Sequence, residues 1–206
     1  MRTRTRSTAL AAAALVVVTT LAACAGNDDP EPDAAPVEEV RDVEAEEADE
    51  HNDADTVFTQ MMIVHHEGAL EMSELALARS DNEEVRDLAQ RIADAQDPEI
   101  QLMAGWLTAW GERQPGEMDH AGMDHAGMDM DGMSQDEAMD ALRELEGAEF
   151  DRMFLALMIA HHRGAIVMAE VQLADGSHPD ARALAREIID AQATEITEME
   201  NVLRDL

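Results

Sequence analysis

An internal duplication limits the folds open to this chain more than any other feature of its sequence. Residues 55–108 align with residues 151–204 at a constant offset of 96, without a gap and with 23 identities in 54 positions. A gapless match over this length predicts the same secondary structure in both copies. The matched segments are rich in Ala, Leu, Met, Glu and Arg, which favour helices. The duplicated unit is therefore expected to be helical.

Each copy is predicted to form a helical hairpin. Apolar residues recur at helical spacing, for example at Leu88, Ile92 and Ala95 in the first copy. Small and polar residues interrupt this pattern at 80–82 and at 176–179, where we expect the turns. Two such hairpins joined by a loop predict an all-α four-helix bundle with a single hydrophobic core.

Local patterns predict how two helices begin and where a third is disturbed. Ser80 with Glu83, and Ser134 with Glu137, have the spacing of capping boxes at helix N-termini. Pro98 lies inside the second predicted helix, where it has no backbone N–H to donate. The sequence therefore predicts a kink or an interruption at this proline.

Two adjacent histidines occupy the same position in each copy, at 65–66 and at 161–162. At about 100° per residue, they share one side of their helix with methionines, whereas Glu67, Glu71 and Glu74 point away. Buried polar groups are costly unless they find partners, and thioethers with imidazoles suit copper. The candidate metal ligands of the bundle are Met62, His65, His66, Met72, Met158, His161, His162 and Met168.

A plainer interpretation is that these histidines are hydrogen-bonded core residues and that the methionines fill gaps between helices. The second helix of each copy carries one further candidate, Glu99 and Glu195 respectively. These acids either have a structural role, bonding histidine rings or capping the kink, or they orient the histidines around a metal ion. The sequence leaves both alternatives open.

A short segment between the two copies concentrates further soft ligands. Residues 118–133 contain five methionines and two histidines in a repeating Met-Asp-His-Ala-Gly pattern. Sulfur favours Cu(I), whereas nitrogen and carboxylate favour Cu(II), so copper is the predicted ion, with Cu(I) preferred and Cu(II) as the second option. The alternative is an inert low-complexity loop. The candidate ligands here are Met118, His120, Met123, His125, Met128, Met130 and Met133.

The N-terminus has the pattern of an export signal. Three arginines precede an apolar stretch at residues 9–23, which is too short for a stable membrane span. The stretch ends in Leu-Ala-Ala before Cys24, which resembles a bacterial lipobox. Residues 1–23 are thus predicted to be a lipoprotein signal peptide and Cys24 the lipidated residue, although an ordinary cleaved signal is the alternative. The mature chain would then be extracytoplasmic and lipid-anchored to the cell membrane.

The segment that follows is strongly acidic. Residues 27–50 carry twelve acidic side chains and one basic one, and the whole chain has a formal net charge of −32. With few large apolar side chains, residues 24–52 are predicted to be a disordered spacer. This charge argues against nucleic acid as a partner. Because Cys24 is the only cysteine, an intramolecular disulfide and a thiolate cluster are both excluded.

The paired motif resembles a known family. Residues 62–72, Met-Ile-Val-His-His-Glu-Gly-Ala-Leu-Glu-Met, and their repeat at 158–168 resemble the signature of the bacterial domain of unknown function 305. The similarity covers about residues 53–205. It implies an exported, ferritin-like four-helix bundle from a family implicated in copper binding and copper tolerance. The expected organisation is a duplicated bundle over residues 53–206, with residues 111–134 as an added Met/His-rich loop between the hairpins.

Three functions remain open at this point. The first is an extracytoplasmic lipoprotein that sequesters or relays copper through Met and His ligands, with no enzymatic activity and with an unidentified protein as copper donor or acceptor. The second is a ferritin-like metal oxidase, although the Glu-x-x-His ligands of di-iron bundles are absent and Met disfavours iron. The third is a structural or interaction module without metal.

Overall fold

The computed structural model describes residues 50–117, 130 and 132–206, and these residues confirm the all-α four-helix fold. Four long helices form two hairpins, and a short helix and a 3₁₀ turn lie between them. Within the described ranges there is no strand, only an isolated bridge between Met130 and Met133. The helices are α1 (Asp53–Arg79), α2 (Glu83–Trp110), α3 (Gln135–Arg143), α4 (Gly147–Asp175) and α5 (Pro179–Asp205), and the 3₁₀ turn is Pro115–Glu117.

The proposed signal peptide, Cys24 and most of the acidic spacer lie outside the described residues, as do residues 118–129 of the Met/His-rich loop. Helix α4 is long and apolar enough to cross a membrane by length and composition. However, 67% of its most apolar window is buried inside the bundle. Its apolar composition is thus accounted for by its position in the core.

The apolar core has two parts, one toward each end of the bundle. Within each hairpin the two helices pack on each other, and α1 packs on α4 across the two hairpins. We call the part at the N-terminus of α1 the proximal cluster; it contains Phe58, Met62, Met103, Leu107, Met168 and Ile188. The distal cluster, at the C-terminus of α1, contains Met72, Leu88, Ile92, Phe154, Met158 and Met199.

The two hairpins run antiparallel and are related by an approximate two-fold axis. The start of α1 shares the proximal cluster with the end of α4, and the distal cluster combines the opposite halves of these helices. Equivalent residues of the two copies, such as Phe58 and Phe154, therefore lie at opposite ends. The gapless repeat in the sequence corresponds to this symmetry.

A buried aspartate near the start of each hairpin clasps the turn of the other hairpin. Asp55 accepts hydrogen bonds from the backbone N–H groups of Ser177 and His178, each at 3.0 Å, and from Gln172 at 2.5 Å. Its equivalent Asp151 accepts one from the hydroxyl of Ser80 at 2.6 Å. The repeated aspartates thus join the hairpins at both ends.

The predicted helix starts are partly confirmed. Ser134 and Glu137 form the expected capping box at the start of α3. The box predicted at Ser80 is wrong, because Asn82 caps α2 by accepting from the N–H groups of its first turn. Ser80 is instead the C-cap residue of α1, and its hydroxyl donates a hydrogen bond to Asp151.

The predicted interruption at Pro98 is also wrong, because α2 continues through it to Trp110. Pro98 and Asp94, whose carbonyl loses its helical partner, are both exposed. Water can therefore bond that carbonyl, and the proline costs the helix less than it would in the core. Helix α2 ends at Gly111, whose φ of 72° is the left-handed conformation that glycine adopts without strain.

The sequence analysis predicted a helix start at Ser134 but not that this helix, α3, is short and separate; it breaks the two-fold symmetry. Its Ala138, Met139 and Leu142 are buried in the distal cluster, against α4. On the proximal half, part of the surface of α1 and α4 is exposed. There Val57 and Val171 stay 57% and 53% exposed.

Candidate metal centre

A layer of polar side chains crosses the middle of the bundle, between the two apolar clusters. We call it the histidine layer. All four long helices contribute to it, because on each helix its residues lie between those assigned to the proximal and the distal cluster. The six histidine and glutamine members are at most 3% exposed. The layer consists of His65, His66, Gln96, Glu99, His161, His162, Gln192 and Glu195.

In each hairpin, a glutamate of the second helix forms a hydrogen bond with one histidine of the first helix. Nε2 of His66 lies 2.7 Å from Oε2 of Glu99, and Nε2 of His162 lies 2.8 Å from Oε2 of Glu195. The rings are fully buried, whereas the acids keep 25% and 17% of their side-chain surface. Both alternatives for these acids include this hydrogen bond, which fixes the orientation of each ring.

The other nitrogen of these rings is left without a partner. Nδ1 of His66 and Nδ1 of His162 are buried and accept or donate no hydrogen bond in the described part of the chain. A buried polar atom without a partner costs on the order of 1–3 kcal/mol. The carboxylate on Nε2 favours a proton there, so Nδ1 presents its lone pair, which is the form that binds a metal ion.

The remaining two histidines meet at the centre of the molecule. The ring centroids of His65 and His161 are 3.6 Å apart and the planes are tilted by 39°. Burial lowers the pKa of His161 well below its usual value of 6.5, and the neighbouring His65, His162 and His66 lower it further by repulsion. His161 is therefore neutral at physiological pH, as a metal ligand must be.

The glutamines of the layer are also incompletely satisfied. Within the described residues, neither amide atom of Gln96 has a hydrogen-bond partner, and Oε1 of Gln192 has none. Both side chains are 3% exposed. So many unpaired groups in one layer contrast with the few found in ordinary protein interiors. The layer therefore contains several buried polar atoms that are available to bond a further group.

The four predicted methionine ligands of the bundle divide between the two apolar clusters, and each cluster receives one from α1 and one from α4. Met62 and Met168, from different hairpins, belong to the proximal cluster, whereas Met72 and Met158 belong to the distal cluster. Met62 and His66 are one helical turn apart, as are Met158 and His162, so each polar ring has a thioether beside it. All of these methionines are buried, with Met168 the most accessible at 9%.

Two further methionines join these sets and were not among the predicted ligands. Met103 is fully buried in the proximal cluster, and Met199 in the distal cluster. Each follows Glu99 or Glu195 by one helical turn. Their identity in both copies was the signal in the sequence that could have identified them. Each side of the histidine layer is therefore flanked by three buried thioethers from positions that are Met in both copies, besides the other methionines of each cluster.

The donor set determines which ions could bind. No three His, Cys, Asp or Glu side chains in the described ranges are placed to hold one metal ion. Besides the histidines, the donors nearest the layer are the glutamine amides and methionine sulfur, and sulfur favours a soft ion such as Cu(I) and disfavours iron. The residues present fit copper by this test, since imidazole nitrogens and thioethers are the groups left available.

Of the loop ligands predicted from sequence, only Met130 and Met133 are described. Their backbones bond each other reciprocally, at 3.0 and 3.2 Å. Met130 is 1% exposed and belongs to the distal cluster, and Met133 packs against that cluster. The end of the Met/His-rich loop therefore lies against the same cluster as Met72, Met158 and Met199. The predicted ligands Met118, His120, Met123, His125 and Met128 lie outside the described residues.

The chain resembles several solved structures over most of its length. A DUF305 protein of Streptomyces coelicolor described as secreted is 36% identical, with a TM-score of 0.66 over 74% of this chain and 91% of that one. A DUF305 fragment from Deinococcus radiodurans is also 36% identical, with a TM-score of 0.66 over 75% of this chain and 98% of its own.

A third similar structure is CopM in its Cu(II)-bound form, which is 31% identical with a TM-score of 0.60, over 73% of this chain and 96% of that chain. CopM has also been solved with Cu(I) and with Ag. Among functionally curated proteins, none matches the chain significantly. The model of the domain of unknown function DUF305 matches residues 55–203. This chain is therefore a member of the DUF305 family.

Proposed function

We propose that the protein is an extracytoplasmic copper-binding lipoprotein that sequesters or relays copper through Met and His ligands. The observation that carries this proposal is the histidine layer, in which buried ring nitrogens without partners lie between two sets of buried methionines. The similarity of this chain to CopM, which has been solved with Cu(I) and Cu(II), supports copper as the bound metal.

The cellular location rests on two supports. The N-terminal pattern ending at Cys24 resembles a lipoprotein signal, and a similar DUF305 protein is described as secreted. A lipid anchor at Cys24 would keep the bundle at the outer surface of the membrane. The acidic residues that follow would then separate the bundle from an anionic bilayer by charge repulsion.

A competition titration tests copper binding by the bundle. The chain from residue 26 onward is titrated with Cu(I) against a chromogenic chelator, and separately with Cu(II). A variant with His65, His66, His161 and His162 changed to Ala should lose the tightest Cu(I) site, whereas deletion of residues 118–129 should leave it in place. Equal affinity of the four-histidine variant and the parent would refute a site in the bundle.

A second experiment isolates the role of sulfur. Changing Met62, Met103 and Met168 to Leu keeps the buried volume nearly constant but removes three thioethers, so stability should change little. We expect Cu(I) affinity to fall by at least tenfold. The matched control changes Met61 and Met139 to Leu, which are also buried but were not predicted as ligands. The same loss of affinity in the control would show that sulfur position is irrelevant.

A further inference from the structure

A cavity connects the surface of the bundle with the centre of the histidine layer. It has a volume of about 220 Å³, and the side chains of His65 and His161 form part of its wall. Glu67 and Glu71 line it as well, and both are exposed to solvent. His161 is only 3% exposed, so this cavity is where solvent approaches the buried pair.

Imidazole rings line the inner end of the cavity, and carboxylates line its outer part. Nδ1 of His161 has no hydrogen-bond partner within the described ranges. Glu71 is paired with Arg143 of α3 at 2.9 Å, whereas Glu67 makes no ion pair among the described residues. A cation entering the cavity would therefore pass an uncompensated carboxylate before it reaches a neutral imidazole.

The second copy of the repeat lacks this acidic wall. The positions equivalent to Glu67 and Glu71 are Arg163 and Val167. Arg163 is paired with Glu200 at 3.0 Å. The approximate two-fold axis passes between His65 and His161, so these two rings face both copies alike. Of the two copies, only α1 carries acids at these two positions.

Gln135, the first residue of α3, lines the cavity as well. Its Nε2 donates to the carbonyl oxygen of Gly68 at 3.1 Å. The contact is tight, because a Cβ at Gly68 would lie 2.8 Å from Oε1 of Gln135. Gln135 follows Met133 by two residues, so the wall of the cavity is adjacent in sequence to the end of the Met/His-rich loop.

We propose that this cavity is the port through which copper ions enter and leave the histidine layer. Glu67 attracts the cation to the port, and the side chain of Gln135 limits the rate of exchange. The inference rests on the proposed copper function but adds a route and two residues that control rate rather than affinity. It predicts that changes at the port alter uptake and release by the same factor.

The test measures release of Cu(I) from the loaded chain, residue 26 onward, into a large excess of chelator. At saturating chelator the rate is that of dissociation and is independent of chelator charge. The phase that belongs to the bundle is identified as the one missing when His66 and His162 are changed to Ala. The dissociation constant is measured separately by equilibrium competition, and the association rate follows from the two.

Gln135→Ala should accelerate release and uptake severalfold with an unchanged dissociation constant. Glu67→Gln should slow both by roughly fivefold, because loss of one charge near the path raises the barrier in each direction. The control is Glu74→Gln, an exposed acid of the same helix that does not line the cavity. It should leave the rates unchanged, and circular dichroism checks that every variant folds.

The outcomes distinguish a failure of the proposed port from a failure of the proposed copper function. Unchanged rates in both port variants, with normal equilibrium binding, would overturn the port and leave the copper function intact. A large loss of equilibrium affinity in Gln135→Ala would also overturn it, because Gln135 would then be a ligand rather than a residue that limits exchange. Absence of copper binding in the parent chain would refute the proposed function itself.

Discussion

At the residue scale, the histidines of each pair have different surroundings. His66 and His162 are oriented by carboxylates, whereas His65 and His161 contact each other at the centre. A carboxylate on one ring nitrogen makes the other nitrogen a better ligand and holds the ring in place. The contribution of Glu99 and Glu195 should therefore appear in copper affinity more than in stability.

Glu99→Gln should weaken Cu(I) binding by about tenfold, because a neutral amide orients the His66 ring less firmly and does not raise its basicity. The measurement is chelator competition at constant pH. Glu200→Gln is the matched control, since it removes an acid on the surface of α5 that pairs with Arg163 and does not belong to the histidine layer. An identical affinity in Glu99→Gln and the parent would mean that the acid has only a structural role.

The lowered pKa of His161 predicts how the stability of the metal-free protein depends on pH. Below about pH 6.5 the unfolded chain takes up a proton at this histidine, whereas the folded chain does not until a lower pH. This group therefore lowers the free energy of unfolding as the pH falls, by up to about 1.4 kcal/mol per pH unit.

Urea denaturation of the parent and of His161→Asn, between pH 7.5 and 5 (roughly the range in which histidine titrates), checks this prediction. The difference between the two proteins should shift in favour of the variant as the pH is lowered. Parallel curves would show that His161 has the same pKa in the folded and unfolded states.

At the scale of the helices, the hairpins are joined through their ends as well as through the core. Hydrogen bonds from Gln172 and from the backbone N–H groups of Asn52, Ser177 and His178 lower the pKa of Asp55, although burial alone would raise it. The carboxylate stabilises the fold at any pH above its unfolded pKa of about 3.9, and this contribution is lost as the pH falls toward the lowered value.

Asp55→Asn should lower the free energy of unfolding at pH 7 by roughly 2–3 kcal/mol, because an amide cannot accept from all of these donors. Asp151→Asn should cost less, since among the described residues Ser80 alone donates to it through a side chain. Denaturant titration at pH 7 measures both. When the titration is repeated below pH 4, the difference in the free energy of unfolding between the parent and Asp55→Asn should become smaller. A difference that does not change with pH would contradict an ionised Asp55 in the folded protein.

The short helix α3 is part of the core despite its length. Leu142 is fully buried in the distal cluster, whereas Asp140 of the same helix is exposed. Leu142→Ala should therefore destabilise the protein by about 2–3 kcal/mol, as buried leucine truncations do. Asp140→Ala, the control, should change stability by less than about 0.5 kcal/mol. Equal effects in a thermal or urea denaturation experiment would mean that α3 does not stay packed.

At the scale of the whole molecule, the duplication made much of the fold predictable. Two copies of one helical pattern left few arrangements other than paired hairpins, and the side of α1 that carries His65 and His66 is buried as its periodicity indicated. The placement of Met62 and Met72 in opposite clusters was not predictable. Helical spacing alone does not show which end of α4 lies beside which end of α1.

Other features depended on tertiary contacts that a local pattern does not contain. Ser80 has the spacing of a capping residue, but Asp151 of the other hairpin engages its hydroxyl. Pro98 is tolerated because it faces solvent, which the identity of the residue does not reveal. Met103 and Met199 were not among the predicted ligands, although they lie in the same clusters as those ligands.

The reciprocal aspartate clasp has a consequence for how such a molecule can diversify. Each hairpin needs the turn of another hairpin for its aspartate, so the arrangement is that of a dimer whose two subunits have become one chain. Identical subunits must present identical faces on both sides of their axis. A fused pair is released from that requirement, and here one face has gained a covering helix and two acids beside the histidines while the other carries an arginine and exposed valines. Fusion thus allows the two faces of a symmetric interior to differ in charge and in the segments that pack on them.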